Sequence, residues 1–343
     1  MMNKVLKRLL LAFSLCCLVA TANAAPFDDA IAAHGRGDYA QAFKLFSPLA
    51  EQGYARAQHN LGVMYGKGQG VIQDHKEAWK WYGLAAAQGY ANAQFNLGWM
   101  YDTGRGVTKN YQEALKWYRL AAAQGVAEAQ YNIGVLYDDG QGVIQDHKEA
   151  VKWFRLAADQ GYEKAQHNLG VMYGKGQWVI QDHKEAVKWF RLAADQGGAE
   201  AQHNLGVMYG KGQGVIQDYQ EALKWYGLAA AQGYANAQFN LGLKYAKGDW
   251  VTQDYQEAVK WFRLAAEQGF AEAQFNLGVM YAKGDWVTQN SASAHMWFDL
   301  SSSAGDADGA KSRDLIAERM TPQQIGKAQD MARKCQERNF KGC

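Results

Sequence analysis

The sequence predicts an all-α protein, a right-handed α-solenoid built from 36-residue helix-turn-helix repeats. Two motifs predict this fold, because each recurs in steps of 36 residues without an insertion. The first, Ala-Gln-x-Asn-Leu/Ile-Gly, begins at residues 57, 93, 129, 165, 201, 237 and 273. The second, Glu-Ala-x-Lys-Trp-Tyr/Phe, has its tryptophan at residues 81, 117, 153, 189, 225 and 261, and Trp297-Phe298 is a divergent copy.

The first motif lies in a predicted helix, helix A, which covers residues 55–66 in the first full repeat. Ala57, Leu61 and Tyr65 fall on one stripe with i, i+3/i+4 spacing, which is typical of a helix with one buried face. Gly62 falls in the helix interior, where glycine costs about 1 kcal/mol relative to alanine. Because every repeat keeps this glycine, we expect a neighbouring helix to pack too closely for a Cβ atom.

The second motif lies in helix B, predicted over residues 74–88. Asp74 is expected to cap its N-terminus, and Gly89 is expected to end it. We expect Trp81 and Tyr82 to be buried on this helix, and the equivalent tryptophans of the other repeats to be core residues as well.

One hairpin of two short helices cannot bury its own apolar faces, but a stack of hairpins can. The domain organisation predicted from this is a signal peptide at 1–24, N-terminal capping helices at 25–54, and seven repeats at 55–306. Capping helices with a disulfide-bearing tail are predicted at 307–343.

The N-terminus has the pattern of a cleaved signal peptide. Three basic residues precede an apolar stretch over residues 9–20, and Ala22-Asn23-Ala24 then supplies small residues at a cleavage site. Cleavage after Ala24 predicts a periplasmic or secreted protein. It also removes three positive charges from a formal net charge of +2, which leaves −1. The mature chain then has no basic block for nucleic acid and no apolar run long enough for membrane insertion.

Two cysteines remain after cleavage, Cys335 and Cys343. They are eight positions apart near the C-terminus, and their number is even in an oxidising compartment. The sequence therefore predicts that they form a disulfide.

The repeated segments Ala-x-Ala-Gln-x-Asn-Leu-Gly-x-Met-Tyr, Gly-x-Gly-Val, Ala-x-Lys-Trp-Tyr and Ala-Ala-x-Gln-Gly resemble the Sel-one-like repeat, a 36-residue relative of the tetratricopeptide repeat. The resemblance covers roughly residues 27–320, and residues 313–328 are similar to a closing segment found in such proteins. It implies a scaffold or adaptor that organises other proteins. Two features depart from the family pattern: isoleucine or threonine replaces the usual proline after Gly-Val, and tryptophan replaces the second loop glycine in three repeats.

No candidate catalytic residue, cofactor site or metal site emerges from the sequence. It contains no nucleophile–base motif and no phosphate-binding loop, since its Gly-x-Gly turns join helix to helix. Six of the eight histidines lie in two repeat columns, where successive side chains are about 10 Å apart, the spacing of packed helices. That separation is too long for shared zinc ligation.

If each repeat aligns with a tetratricopeptide hairpin, helix A lines the concave side of the solenoid. We call the positions that point into that groove (56, 59, 60, 63 and 67 of the first full repeat, with their equivalents) the groove columns. The candidate partner-binding residues in these columns are His59, Asn60, Phe95, Asn96, Trp99, Tyr131, Asn132, His167, Asn168, His203, Asn204, Phe239, Asn240, Phe275 and Asn276.

Two interpretations of the groove columns stay open. The aromatic rings offer desolvated anchors and the asparagines offer paired donors and acceptors, which suits an extended peptide. Alternatively, the rings pack against helix B and the asparagines satisfy carbonyl groups of the neighbouring repeat.

A second candidate surface is the loop between helices A and B. Trp178, Trp250 and Trp286 stand where other repeats have glycine, so the core does not require an aromatic ring there. They are interpreted as an exposed strip for a protein or glycan partner, with packing of each ring onto its own helix pair as the alternative.

The predicted function is therefore an exported scaffold that binds a protein or peptide partner. An envelope factor that binds cell-wall or exopolysaccharide glycan is the first alternative. A β-lactam-binding or hydrolysing enzyme is the second, implied by cysteine-rich relatives in the family. This chain lacks their cysteine pair in each repeat.

Overall fold

The computed structural model describes residues 24–284 and 287–343. All regular secondary structure in these residues is α-helical, as predicted for an all-α solenoid of 36-residue repeats. The predicted signal peptide up to residue 23, and Trp286, lie outside the described residues. The chain divides into two compact units, which comprise residues 1–165 and 166–343 and are described separately below.

The first unit is a run of helical hairpins in which each helix packs against the helix before it and the helix after it. Helices α3, α5 and α7 are helix A of successive repeats, and α4, α6 and α8 are helix B. The helices are α1 (Ala24–Gly35), α2 (Tyr39–Glu51), α3 (Ala55–Lys67), α4 (His75–Ala87), α5 (Ala91–Thr103), α6 (Tyr111–Ala123), α7 (Ala127–Asp139) and α8 (His147–Asp159).

Helix α9 (Glu163–Lys175) contains the division between the units, and the second unit continues the alternation of helices A and B. The remaining helices are α10 (His183–Asp195), α11 (Ala199–Lys211), α12 (Tyr219–Ala231), α13 (Ala235–Lys247), α14 (Tyr255–Ala266), α15 (Ala271–Lys283), α16 (Ser291–Ser303), α17 (Ala307–Ala317) and α18 (Pro322–Glu337).

The helix boundaries follow from their capping residues. Asp74 lies outside α4 in an extended conformation, and its carboxylate accepts hydrogen bonds from the backbone N–H groups of Lys76 and Glu77. Gly89 has a φ of 85° just beyond the C-cap, the left-handed conformation that glycine adopts at low cost. Aspartate caps helix B in the same way at Asp146, Asp182, Asp218 and Asp254, as predicted.

The glycine in the middle of helix A lies against an aromatic ring of helix B, which confirms the predicted close packing. A Cβ atom on Gly62 would lie 2.6 Å from Cδ1 of Tyr82, closer than such atoms approach. The same pairing recurs in each repeat as Gly98–Tyr118, Gly134–Phe154, Gly170–Phe190, Gly206–Tyr226, Gly242–Phe262 and Gly278–Phe298.

The prediction that the helix B tryptophans are core residues is confirmed for three of the seven, and the other four pack against the core but are only partly buried. Trp189, Trp225 and Trp297 are buried. In every repeat, the ring that packs against the helix A glycine belongs to the residue after the tryptophan. Adjacent helical residues point about 100° apart, so the two cannot both face it. The tryptophans that are only half-buried are Trp81, Trp117, Trp153 and Trp261.

A buried glutamine connects successive hairpins, a role that was not predicted from the sequence. Gln58 of α3 donates a hydrogen bond to the carbonyl of Ala50 in α2 (3.1 Å). Its own side-chain oxygen accepts a hydrogen bond from Gln88, the C-cap of α4 (2.8 Å). The signal available in the sequence was a glutamine kept beside the apolar stripe of every helix A, together with the glutamine that precedes Gly89 and its equivalents up to Gly269.

The C-terminal end of the second unit is closed by α17 and α18, which both pack against α16. Thr321 and Gln324 form a capping box at the start of α18. The predicted disulfide between Cys335 and Cys343 is present and joins the end of α18 to the chain terminus. No helix among the described residues combines the length and the apolar character needed to span a bilayer.

Candidate functional site

The aromatic rings and histidines of the 59 column lie between the core and solvent. Each is half-buried and faces the core ring of helix B in its own repeat, at centroid distances of 5.5–5.9 Å. His59, for example, is 5.7 Å from Tyr82. The rings therefore do pack against helix B, as one interpretation expected, while part of each ring stays accessible. The full column is His59, Phe95, Tyr131, His167, His203, Phe239 and Phe275.

The asparagines of the 60 column form hydrogen bonds that differ from the expected bonds to neighbouring carbonyls. Asn96 donates to Nε2 of His59 in the preceding repeat (3.0 Å), and Asn60 donates to the carbonyl of Arg56 in its own helix (2.9 Å). The carbonyls of the neighbouring repeat are instead bonded by the buried glutamines. Asn204 and Asn240 bond to His167 and His203, and Asn276 bonds within its own helix. All seven asparagines, Asn132 and Asn168 included, are half-buried.

The groove columns meet at a cavity of about 600 Å³ in the first unit. Its walls come from α3, α4 and α5, the loop after α5, and the start of α7. Groove-column residues supply more than half of the lining: His59, Val63, Lys67, Asn92, Phe95, Asn96, Trp99 and Glu128.

Trp99 distinguishes this part of the protein from every other repeat. The 63 column has valine or leucine in the other six repeats, so the stack does not need an indole there. The Trp99 ring is half-buried and lines the cavity. The guanidinium of Arg105 lies over this ring, 4.8 Å from its centre.

The loop after α5 holds Arg105 in place from both sides. Gly104 ends the helix with a φ of 75°, and the N–H of Arg105 bonds to the carbonyl of Met100. Gly106 then lies against α4, where a Cβ atom would be 2.2 Å from the carbonyl oxygen of His75. The backbone on either side of Arg105 is therefore fixed, and its side chain folds back over the cavity wall.

Burial controls the protonation of His59 in this cavity. It lowers the pKa of His59 from 6.5 to about 4, because the charged ring would lose its hydration. The ring is then neutral at pH 7, which suits its acceptance of a hydrogen bond from Asn96. Across the described part of the chain, no three His, Cys, Asp or Glu side chains come together in a way that could hold a metal ion.

The loop tryptophans do not behave as one exposed strip. Trp178 is 52% exposed, with a φ of 64° that is unusual for a bulky residue. Trp250 instead stacks on Tyr219 at 4.7 Å and lies over Gly210, whose missing Cβ leaves room for the indole. The expectation of an exposed ring is therefore wrong for Trp250, since it packs onto the preceding hairpin.

The family model for the Sel1 repeat matches eight consecutive segments: residues 33–54, 55–90, 91–126, 127–162, 163–198, 199–234, 235–270 and 271–306. A search of curated proteins finds no significant match.

Two solved structures illustrate the similarity. One is a protective antigen of uropathogenic Escherichia coli strains that displays an SLR fold. It is 34% identical, with a TM-score of 0.77, and the match covers 95% of this chain and 71% of the antigen. The other is a Sel1 repeat protein from Oxalobacter formigenes. It is 38% identical, with a TM-score of 0.66, and the match covers 70% of this chain and 99% of that protein.

Proposed function

Because the chain belongs to the Sel1 repeat family, whose repeats generally mediate protein–protein interactions, we propose that it is an exported adaptor. Its partner is a protein, and the contact is made by a peptide segment that enters the cavity of the first unit. The groove-column residues around this cavity are the proposed contact residues, with Phe95 and Trp99 as the apolar anchors.

The observation that carries this proposal is the position of Trp99. Residues that all repeats share are explained by stacking, whereas an indole found in a single repeat is not. Aromatic side chains in a concave site supply much of the binding energy at protein interfaces. The cavity volume of about 600 Å³ suits a few side chains of an extended segment.

Export is supported by two features of the chain. The first 24 residues have the charge and hydropathy pattern of a signal peptide. The disulfide at the C-terminus fits an oxidising compartment, because such bonds rarely persist in a reducing one. A periplasmic or secreted location of the mature protein follows from the proposal.

The proposal is tested by partner capture from envelope extract with the immobilised mature protein. Trp99→Val introduces the residue found in most other repeats, and we expect this variant to capture no partner. Leu120→Ser is the control, because Leu120 is an exposed apolar residue that does not line the cavity. Equal capture by the wild type and Trp99→Val would reject the cavity as the binding site.

Glycan binding is the second candidate, and the exposed ring of Trp178 favours it. An aromatic ring that is 52% exposed can pack on a sugar ring, and a strained backbone at such a residue is often associated with function. Trp178→Gly should relieve the strain and raise stability slightly. If the loop binds glycan, the wild type should bind sugars on a glycan array and Trp178→Gly should not. If the wild type binds no sugar on the array, this candidate is excluded.

We propose binding without catalysis. None of the residues that line the cavity is serine, threonine or cysteine, so a nucleophile for β-lactam hydrolysis has no place there. The expected result is that purified mature protein leaves nitrocefin intact, and turnover that increases with protein concentration would contradict it.

A further inference from the structure

Arg105 and Trp99 are two departures from the repeat pattern that occur in the same repeat and contact each other. At the position of Arg105 the other repeats have glutamine or aspartate, and at the position of Trp99 they have valine or leucine. The other six repeats lack both residues, and their described helices form the same kind of hairpin. The pair is not required by the stack, and its location in the cavity wall indicates a role in binding.

The geometry of the pair leaves the guanidinium available to a ligand. Its carbon lies 4.8 Å from the centre of the Trp99 ring, so one planar face is covered while the N–H groups at its edge stay free. Arg105 is exposed, and within the described residues it has no carboxylate partner. An arginine held on an aromatic ring is pre-organised, because less side-chain freedom is lost when it binds.

The charges around the cavity are arranged asymmetrically. Lys67 and Arg105 lie where α3 and α5 end, and neither forms an ion pair among the described residues. Glu128 lies in the first turn of α7, the opposite end of a helix A. A ligand that carries a negative charge toward Arg105 therefore meets two free cations, and Phe95 and Val63 offer apolar contacts beside them.

We propose that the Arg105–Trp99 pair binds a carboxylate of the partner peptide, while the neighbouring apolar side chain of that peptide enters the cavity beside Phe95. This inference rests on the proposed function, since it specifies what the peptide must carry. The carboxylate comes from an acidic side chain or from the C-terminus of the partner, and both sources present the same two oxygens to the guanidinium.

A peptide array tests this inference directly. Random peptides are printed in matched versions that differ at one central position, which is glutamate, glutamine or lysine. Further versions end at the central glutamine, with either a free carboxylate or an amide. We expect the best wild-type binders to prefer glutamate over glutamine by about tenfold, the size of a charge-assisted hydrogen bond. Preference for the free C-terminus over its amide would identify the chain end as the source.

Two variants of Arg105 separate the inference from the proposed function. Arg105→Gln introduces the residue that most other repeats have, and it should remove the preference for glutamate over glutamine. Arg105→Glu should make peptides with a central lysine bind best. Trp99→Val should weaken all versions together. The inference is overturned by wild-type binding that ignores the central residue, by absence of any binder, or by an unchanged preference in Arg105→Gln. If peptides bind without regard to charge and Trp99→Val still weakens them, the proposed function stands and the inference alone fails.

Discussion

At the scale of single residues, the helix A glycine shows how packing outweighs helix propensity. Alanine is preferred to glycine in a free helix by about 1 kcal/mol, yet glycine occupies this position in all seven repeats. The ring of Tyr82 lies so close to Gly62 that a methyl group would displace it from the core.

A pair of glycines in one repeat tests this explanation. Gly62→Ala should lower the free energy of unfolding by about 1–3 kcal/mol, because the Cβ atom overlaps Tyr82. Gly83→Ala in α4 should raise it by up to about 1 kcal/mol, since nothing lies within 4 Å of that Cβ position. Urea denaturation of both variants measures the difference. Equal effects would show that the ring does not impose the glycine.

His59 predicts a pH dependence of stability. Its folded pKa of about 4 is below the usual 6.5, so the unfolded chain binds the proton first as the pH falls. The contribution of His59 to the free energy of unfolding is therefore complete above pH 6.5 and decreases as the pH falls toward 4. The decrease should be about 2 kcal/mol between pH 6.5 and 5. Phenylalanine occupies this position in three other repeats. In His59→Phe, the free energy of unfolding should therefore fall less between pH 6.5 and 5 than in the wild type. Parallel pH profiles for the variant and the wild type would contradict the assignment.

At the scale of elements, the sequence predicts the hairpins well because each determinant is local. Capping aspartates, the left-handed glycine after Gln88 and the apolar stripe of helix A all act within one helix or turn. Contacts between elements are less predictable. Trp250 packs because Gly210, forty residues earlier, leaves space for its ring. The choice between Trp81 and Tyr82 as the core ring also depends on a partner helix, since both are apolar.

The glutamine connection between hairpins offers a gain-of-stability test. The last glutamine of this series is Gln274, the equivalent of Gln58 in the seventh repeat. Its side-chain oxygen is buried without a hydrogen-bond partner among the described residues. Ala304 occupies the C-cap position that Gln88 holds in the first full repeat, with nearly the same backbone angles. Ala304→Gln should therefore supply the missing donor and raise the free energy of unfolding by about 1 kcal/mol. Ala304→Met, of similar length but without an amide, should not, and equal stability of the two variants would reject this account.

At the scale of the whole molecule, the repeats separate two tasks. Features that recur every 36 residues, such as the glycine–ring contact and the glutamine connections, build the stack. Residues that occur in a single repeat, such as Trp99 and Arg105, are the ones that we propose bind the partner. The sequence predicted the columns around the cavity because register alone positions them. It did not single out Arg105, since a loop residue between two glycines shows its contact with Trp99 only in three dimensions.

The C-terminal disulfide is expected to act locally within the second unit. Reduction of Cys335–Cys343 removes a short covalent loop, worth about 2–3 kcal/mol in the chain-entropy model. Because a repeat stack loses order from its ends, amide hydrogen exchange should accelerate in α18 while the first unit stays protected. Uniform acceleration over both units would show that the disulfide stabilises more than the end.

The separation of the two tasks is tested most directly by measuring unfolding free energy and partner capture side by side in Trp99→Val and Trp189→Val. Trp189 is 3% exposed in α10 and belongs to the shared pattern. We predict that Trp99→Val changes stability by about 1 kcal/mol but abolishes capture. Trp189→Val should lower the free energy of unfolding by about 3–5 kcal/mol, while the protein that remains folded still captures the partner. Full capture by Trp99→Val, or a stability loss as large as that of Trp189→Val, would contradict the account.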